Sequence, residues 1–258
     1  ILLNDMKNIA LLEVGGSDFI DLAKKWTPPF IWQYLYRKLV IRNIPDAKCY
    51  GMVFQPWLTP DRTGAYQLVQ KKTLLRPEAL YHLENSLHQA LNFDGAVYEL
   101  GVYKGGSARL IRDALQTAEG GGRMLRLFDT FEGMKVTNEA QGDRHRPGDF
   151  SETSLAEVKA FVGDADWIDY RQGWVPETFV GLADDKVAFA HIDLDLYAPI
   201  ADAIHFIYPR LVKDGMMVFD DYGFPSTPGA KKAIDEFFLN RPESVFVLQT
   251  GQALVVKI

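Results

Sequence analysis

The 258-residue sequence has little cysteine and no long apolar run, and both absences exclude classes of protein. Cys49 is the only cysteine, which rules out an internal disulfide, a cysteine-rich zinc site and a CxxC redox pair. No stretch approaches the roughly 18 consecutive apolar residues of a membrane helix, and no charged region followed by an apolar run marks a signal peptide. We therefore expect a cytoplasmic protein without a membrane partner.

Positive charge is also scarce. The chain carries 28 Lys and Arg against 34 Asp and Glu, so its formal net charge is −6 at pH 7. Because affinity for a phosphate backbone depends on clustered Lys and Arg, and no basic stripe occurs, we expect no nucleic-acid partner. The hydrophobic fraction of 47% is that of an ordinary globular chain.

The carboxy-terminal two thirds of the chain alternate short apolar runs with amphipathic segments, a pattern typical of a parallel sheet covered by helices. The predicted strands are 96–100, 124–128, 167–171, 187–192, 216–219, 245–248 and 253–256. The predicted helices are 107–118, 154–161, 197–211 and 229–239, with a short one after Pro176. The brief Gly251-Gln252 connection permits only an antiparallel return. The expected fold is α/β: a mostly parallel seven-stranded sheet, helices on both faces, and one antiparallel strand near the carboxy terminus.

The beginning of the chain has a different character, with helix-like segments, many aromatic residues and several prolines. The stretch 31–41 fits an amphipathic helix that serves as a lid or an oligomer contact, and plain core packing explains it equally well. We predict a helical lid or oligomerisation region over 1–72, a sheet domain over 73–258, and a homo-oligomer.

A glycine-rich turn follows the first predicted strand, where open α/β sheets bind ligands. It contains Gly101 and Ser107, and its spacing is not the GxGxxG of a pyrophosphate-binding turn. Any tight turn between a strand and a helix can require glycine, but two acids support a ligand. Glu99 ends the first strand, and Asp129 follows the second, where a carboxylate can accept both hydroxyls of a ribose. A nucleoside without phosphate, such as S-adenosylmethionine, fits this turn better than NAD.

Acidic residues follow two further strands. Asp193 and Asp195 come after the fourth strand, and Asp220 and Asp221 after the fifth. Carboxylates converging on one crevice raise one another's pKa, and a bound cation relieves this repulsion. Oxygen ligands favour Mg²⁺ or Mn²⁺ over zinc. The alternative is a solvated turn and a helix cap, but two pairs on neighbouring strands favour the metal site.

Two histidines lie close to these motifs in the sequence. His191 precedes the acidic residues and fits a hydrogen-bonded core histidine as well as a site residue. His145 lies on the polar loop 142–150, which either closes over the site or is simply exposed.

Taken together, the motifs resemble those of the macrocin O-methyltransferase (TylF-like) family. The similar segments are Glu99-Leu100-Gly101, Lys104-Gly105-Gly106-Ser107, Phe128-Asp129-Thr130-Phe131-Glu132-Gly133, Gly148-Asp149-Phe150-Ser151, Gly173-Trp174, Asp193-Leu194-Asp195-Leu196-Tyr197 and Asp220-Asp221-Tyr222-Gly223. The resemblance implies a Rossmann-like class I fold that uses S-adenosylmethionine and Mg²⁺. It also implies methylation of hydroxyls, typically on sugars of natural products such as antibiotics.

The resemblance also implies roles for individual residues. Asp193, Asp220 and Asp221 would bind the metal, and Asp195 would be the general base. The implied cofactor residues are Glu99, Gly101, Ser107 and Asp129, with Gly173 and Trp174 near the adenine. Thr73 would belong to a segment that closes over the cofactor, where the family usually has Thr-Met-Thr and this chain has Thr73-Leu74-Leu75. Leu194 stands where the family often has glycine.

The sequence therefore predicts an S-adenosylmethionine- and Mg²⁺-dependent O-methyltransferase acting on a small sugar or glycosylated acceptor. One alternative is methylation of a catechol or other phenol, for which tryptophans would line a flat pocket: Trp26, Trp32, Trp57 and Trp174. A second alternative is a non-catalytic module that binds the nucleoside, and the presence of all four aspartates argues against it.

Overall fold

The computed structural model describes residues 57–117 and 123–258. The predicted helix over 31–41 and most of the predicted region 1–72 lie outside the described residues. The lid and oligomer interpretations and the domain boundary at residue 72 therefore stay predictions.

Seven strands form one sheet, in the spatial order β3-β2-β1-β4-β5-β7-β6. The strands are β1 Ala96–Leu100, β2 Leu125–Asp129, β3 Ile168–Gln172, β4 Val187–Ile192, β5 Leu211–Phe219, β6 Phe246–Val247 and β7 Ala253–Val256. The first five pair in parallel, and β7 runs antiparallel to both β5 and β6. This topology confirms the predicted mostly parallel sheet with one antiparallel strand near its end.

Helices cover both faces of the sheet, as predicted. They are α1 Pro60–Val69, α2 Pro77–Ala90, α3 Gly106–Thr117, α4 Leu155–Val162, α5 Tyr197–Ile207 and α6 Pro228–Phe238, and short 3₁₀ turns occur at Glu139–Gln141 and Glu177–Phe179. Helices α1 to α4 pack with Val97, Phe189 and Val218 on one face. Helices α5 and α6 pack on the opposite face. None of the helices in the described ranges is long and apolar enough to cross a membrane.

The boundaries differ most at β5. The predicted helix 197–211 ends at Ile207, and β5 begins at Leu211 rather than at residue 216. Within the strand, Lys213 and Asp214 are exposed, and Asp214 has a φ of +63°. Its N–H donates to the carbonyl of Lys257 at 2.8 Å. Lys213 and Asp214 thus interrupt the apolar pattern of the strand, and a hydrogen bond to a distant part of the chain holds them there. The apolar pattern alone therefore predicts a strand shorter than the observed one.

The sheet order places the candidate site. Strand β1 lies between β2 and β4, so the chain connections leave it in opposite directions. Open α/β sheets form a crevice at such a switch point, outside the carboxyl ends of the strands.

Candidate functional site

A cavity of about 380 Å³ opens at this carboxyl edge. Its lining includes every predicted site residue except Glu99: Thr73, Gly101, Ser107, Asp129, Gly173, Trp174, Asp193, Asp195, Asp220 and Asp221. The structure therefore brings the glycine-rich turn and the acidic residues to one space.

Gly101 brings the glycine-rich turn, at one end of this cavity, into contact with Asp193 at the other end. It has a φ of +89°, and a Cβ at this position would lie 1.7 Å from the carbonyl oxygen of Asp193. In addition, the N–H of Asp193 donates to the carbonyl of Leu100 at 2.8 Å. Only glycine fits both the backbone conformation and the close approach.

The segment that contains Thr73 packs on the start of α3. Gly106 donates its N–H to the carbonyl of Lys72 at 2.9 Å. A Cβ at position 106 would lie 2.6 Å from the Cβ of Thr73. Thr73 and Ser107 are both buried and both line the cavity. The structure thus places Thr73 beside the glycine-rich turn, although Leu74 and Leu75 replace the residues usual in the family.

Asp129 holds the glycine-rich turn in place. Its Oδ2 accepts hydrogen bonds from the N–H groups of Val102 and Tyr103 at 2.7 and 2.8 Å, and its Oδ1 accepts from Phe131 at 2.6 Å. A carboxylate has about four acceptor positions, so these bonds leave little capacity for ribose hydroxyls. Gly173, next to Trp174, donates its N–H to the carbonyl of Asp129 at 2.9 Å.

Glu99 and His191 form a pair beneath the cavity. They are direct neighbours in the parallel register of β1 and β4, and both are fully buried. Glu99 Oε1 lies 3.1 Å from His191 Nδ1. Among the described residues, Glu99 Oε2 and His191 Nε2 have no hydrogen-bond partner. His191 is therefore a buried, hydrogen-bonded histidine, and a contact of Glu99 with the cofactor stays a prediction.

The carboxylates at the other end of the cavity form a compact group. Asp193, Asp195 and Asp221 each offer an oxygen within 4.8 Å of the others. Asp195 has a φ of +60°, and its N–H donates to Asp221 Oδ2 at 2.7 Å. Asp220 lies beside this group, with Oδ1 accepting from Gln252 Nε2 at 2.9 Å. The structure thus groups Asp195, the predicted base, with two of the three predicted metal ligands.

The electrostatics of this group fit a hard cation. Burial, followed by the charges of neighbouring aspartates, raises the pKa values of Asp193 and Asp221 well above the usual aspartate range. Burial also raises the pKa of Asp220. Carboxylate oxygens are the ligands that Mg²⁺ or Mn²⁺ prefers, and a bound cation would favour the ionised carboxylates by offsetting both the burial and the repulsion.

His145 reaches the acidic group from the loop 142–150. Its Nε2 lies 3.4 Å from Asp195 Oδ1, and its Nδ1 lies 3.2 Å from Asp149 Oδ2. The hydrogen bond to Asp195 is the largest cause that raises the pKa of His145 to about 9. The loop thus places His145 in the lining of the cavity, and its closure over the site stays a prediction.

Comparison with known proteins identifies the family. The family described as Macrocin-O-methyltransferase (TylF) matches residues 60–242. The chain belongs to this family. The matched residues include the glycine-rich turn, Asp129 and all four aspartates of the acidic end.

Named relatives agree with this membership. The chain is 30% identical over 156 residues to demethyldecarbamoylnovobiocin O-methyltransferase of Streptomyces niveus, covering 57% of this chain and 59% of that protein. It is 26% identical over 179 residues to mycinamicin III 3''-O-methyltransferase of Micromonospora griseorubida, covering 64% and 69%. The match to the first relative thus spans less than two thirds of that protein's length.

Two solved structures share the fold. The O-methyltransferase NovP matches with a TM-score of 0.65 at 24% identity, covering 72% of this chain and 82% of that one. The calicheamicin methyltransferase CalS11 matches with a TM-score of 0.61 at 21% identity, covering 77% and 93%. The predicted Rossmann-like, class I methyltransferase fold is therefore confirmed.

Two residues that contact the site from outside the cavity lining are not indicated by the sequence pattern. Asp143 is buried, and its Oδ1 accepts from the N–H of Tyr197 at 2.8 Å. The side chain of Asp143, on a distant loop, therefore caps the start of α5. Its other oxygen accepts from Asn138 at 2.8 Å. Gln252, which contacts Asp220, lies beyond the residues that match the family. In the sequence, both residues resemble ordinary turn residues, because their hydrogen-bond partners, Tyr197 and Asp220, are far away along the chain.

Proposed function

We propose that the protein is an S-adenosylmethionine- and Mg²⁺-dependent O-methyltransferase that methylates a hydroxyl of a sugar moiety in a natural product or glycan. One observation carries this proposal: a single cavity has the glycine-rich turn at one end and the clustered aspartates at the other. Membership of the macrocin O-methyltransferase family supports transfer to oxygen. The name of one relative, a 4'-O-methyltransferase of a rhamnosyl-tetracenomycin, supports a sugar acceptor. The name of another, mycinamicin III 3''-O-methyltransferase, supports transfer to oxygen.

The donor end is suited to a nucleoside. S-adenosylmethionine, when bound, supplies the methyl group as an electrophile. Gly101 and Ser107 lie on the turn that lines this end of the cavity, and they are the proposed contacts of the turn with the ligand. Asp129 keeps that turn in shape and is the proposed contact with the ribose. Further contacts are assigned to Thr73, Glu99, Gly173 and Trp174, with the last two beside the adenine.

The acceptor end is suited to the activation of a hydroxyl. Asp193, Asp220 and Asp221 are the proposed ligands of Mg²⁺ (or Mn²⁺), which would stabilise an alkoxide at neutral pH. Asp195 is the proposed general base, a role that contributes about 10²- to 10⁴-fold to the rate. Its N–H is fixed on Asp221, and its side chain faces His145. These contacts orient the carboxylate before the acceptor binds.

The deciding experiment is mass spectrometry of acceptor mixtures incubated with the protein, S-adenosylmethionine and Mg²⁺. The mixtures contain sugar-bearing natural products, free sugars, catechols and simple phenols. We expect a gain of one methyl group on a sugar hydroxyl, its loss in EDTA, and its loss in Asp195→Asn with calorimetric binding of S-adenosylmethionine retained.

Other outcomes contradict the proposal. Methylation of phenols alone would establish the catechol alternative. Binding of S-adenosylmethionine without transfer to any acceptor would favour a non-catalytic module. Unchanged transfer in EDTA would remove the metal from the mechanism. Location in the cytoplasm and assembly into a homo-oligomer are further proposals, and they are independent of this experiment.

A further inference from the structure

We propose that Gln252 is a positioning residue, whose side-chain amide fixes Asp220 so that this carboxylate presents one oxygen to the metal ion. The inference rests on the proposed function, because it presupposes a cation at the acidic end of the cavity.

The hydrogen bonds of Gln252 define how its amide is oriented. The residue is fully buried. Its Oε1 accepts from the hydroxyl of Thr250 at 3.0 Å, so the NH₂ group points the other way. There Nε2 donates to Asp220 Oδ1 at 2.9 Å and to the carbonyl of Ala79 in α2 at 3.4 Å. Both donors and the acceptor of the amide are thus used, which fixes its rotamer.

The backbone brings amide and carboxylate together. Phe219 and Ala253 are paired residues of the antiparallel strands β5 and β7, and Asp220 and Gln252 are their neighbours at the same edge. Gly223 donates its N–H to the carbonyl of Gly251 at 2.7 Å, and Asp220 donates to Ile192 at 3.0 Å. The contact between the two side chains is therefore part of the sheet framework rather than of a surface loop.

An amide is chemically suited to this position. It occupies Oδ1 of Asp220, and Asp220 itself lines the cavity beside the other aspartates. A neutral donor orients the carboxylate without adding charge, while a lysine or arginine would neutralise it and compete with a cation. Ligating carboxylates are commonly held by such hydrogen bonds from a second residue.

The test is Gln252→Met, which keeps the length of the side chain and removes the donor. The control is Gln89→Met, the same substitution on the exposed face of α2. Mn²⁺ binding is measured by electron paramagnetic resonance, and S-adenosylmethionine binding by calorimetry. We expect Mn²⁺ affinity to fall by about 10- to 100-fold in Gln252→Met, with S-adenosylmethionine affinity and the Gln89→Met control unchanged.

A second measurement covers the case in which Gln252→Met does not fold. In the unmodified protein labelled with ¹⁵N-glutamine, the buried amide of Gln252 should exchange slowly with solvent and should shift when Mg²⁺ is added. The inference is overturned if Gln252→Met binds Mn²⁺ with the affinity of the unmodified protein. It is also overturned if the signal of the slowly exchanging glutamine amide does not shift when Mg²⁺ is added. Failure of the unmodified protein to bind Mn²⁺ at all has a different meaning, because it overturns the metal site of the proposed function.

Discussion

His145 Nε2 lies 3.4 Å from Asp195 Oδ1, while the Nδ1 atom of the same ring lies 3.2 Å from Asp149 Oδ2. An imidazole between two carboxylates is stabilised in its protonated form, and the pKa of His145 is accordingly raised to about 9. The loop 142–150 therefore places the positive charge of His145 beside Asp195, the proposed base. This contact couples the loop to the ionisation of the site.

The pH dependence of stability should report this contact. The pKa of His145 in the folded protein lies above its ordinary value of 6.5, so the stabilisation is complete below pH 6.5 and is lost as the pH rises through about 9. We expect His145→Ala to lower the free energy of unfolding by about 1 to 3 kcal/mol at pH 6.5 and by less at pH 10. Urea denaturation in EDTA measures both values. His88→Ala, on the exposed side of α2, is the control. A difference that stays constant between the two pH values would contradict the assignment.

Asp193 should make the metal-free protein less stable at higher pH. Burial and the nearby aspartates raise its pKa well above 3.8, so the folded state holds a proton that the unfolded state releases. Stability in EDTA therefore falls as the pH rises from about 4 towards the raised pKa. We expect Asp193→Asn to flatten this dependence and to abolish stabilisation by Mg²⁺, which is about 2.7 kcal/mol at 100 times the dissociation constant.

Thermal denaturation at several pH values, with EDTA or Mg²⁺, measures both effects of Asp193→Asn. Asp94→Asn, at an exposed position, is the matched control and should behave as the unmodified protein does. If Asp193→Asn retains the full gain from Mg²⁺, Asp193 is not a ligand.

A comparison of substitutions at Gly101 and Gly148 separates the effect of close contact with the Asp193 backbone from the effect of a strained backbone conformation. Both have positive φ, at +89° and +94°, but a Cβ at Gly148 meets nothing within 4 Å. Gly148→Ala should cost about 1 to 2 kcal/mol for the left-handed conformation. Gly101→Ala should cost about 1 to 3 kcal/mol more, because its methyl group overlaps the backbone of Asp193. Equal midpoints of urea denaturation for the two variants would show that the overlap is relieved without cost.

The loop anchored by Asp143 should become accessible to protease when the anchor is removed. Asp143→Ala takes away the acceptor for the N–H groups of Tyr197 and Asn138. Loss of a helix cap costs about 1 kcal/mol, and we expect trypsin to cut faster after the exposed Arg144. Peptide mapping over time measures this, with Asp166→Ala at an exposed position as the control. Cleavage at the unmodified rate would mean that other contacts hold the loop.

The sequence was informative where local pattern decides the structure. Apolar strands alternating with amphipathic helices predicted the sheet, and the aspartates after two strands predicted the acidic group. Ser154, at the start of the predicted helix 154–161, caps α4 by accepting the N–H of Glu157 at 3.3 Å. Such features depend on residues a few positions apart, which sequence alone displays.

The other contacts of the site depend on how distant strands pair in the sheet. That Glu99 lies opposite His191 follows from the pairing of β1 with β4, and no local pattern sets this pairing. The bonds that Asp129 accepts from the glycine-rich turn, and the bond that Gln252 donates to Asp220, join residues 26 or more positions apart. The contact of Gly101 with Asp193 is of the same kind, since it appears only when the two strands are side by side.

This contact also has a consequence for the proposed reaction. Because the main chain after β1 touches the main chain after β4, the backbone fixes the spacing between the glycine-rich turn and Asp193. Substitutions of side chains in the cavity lining would leave this backbone contact in place. In the proposed reaction, acceptor choice would then change without a change in that spacing.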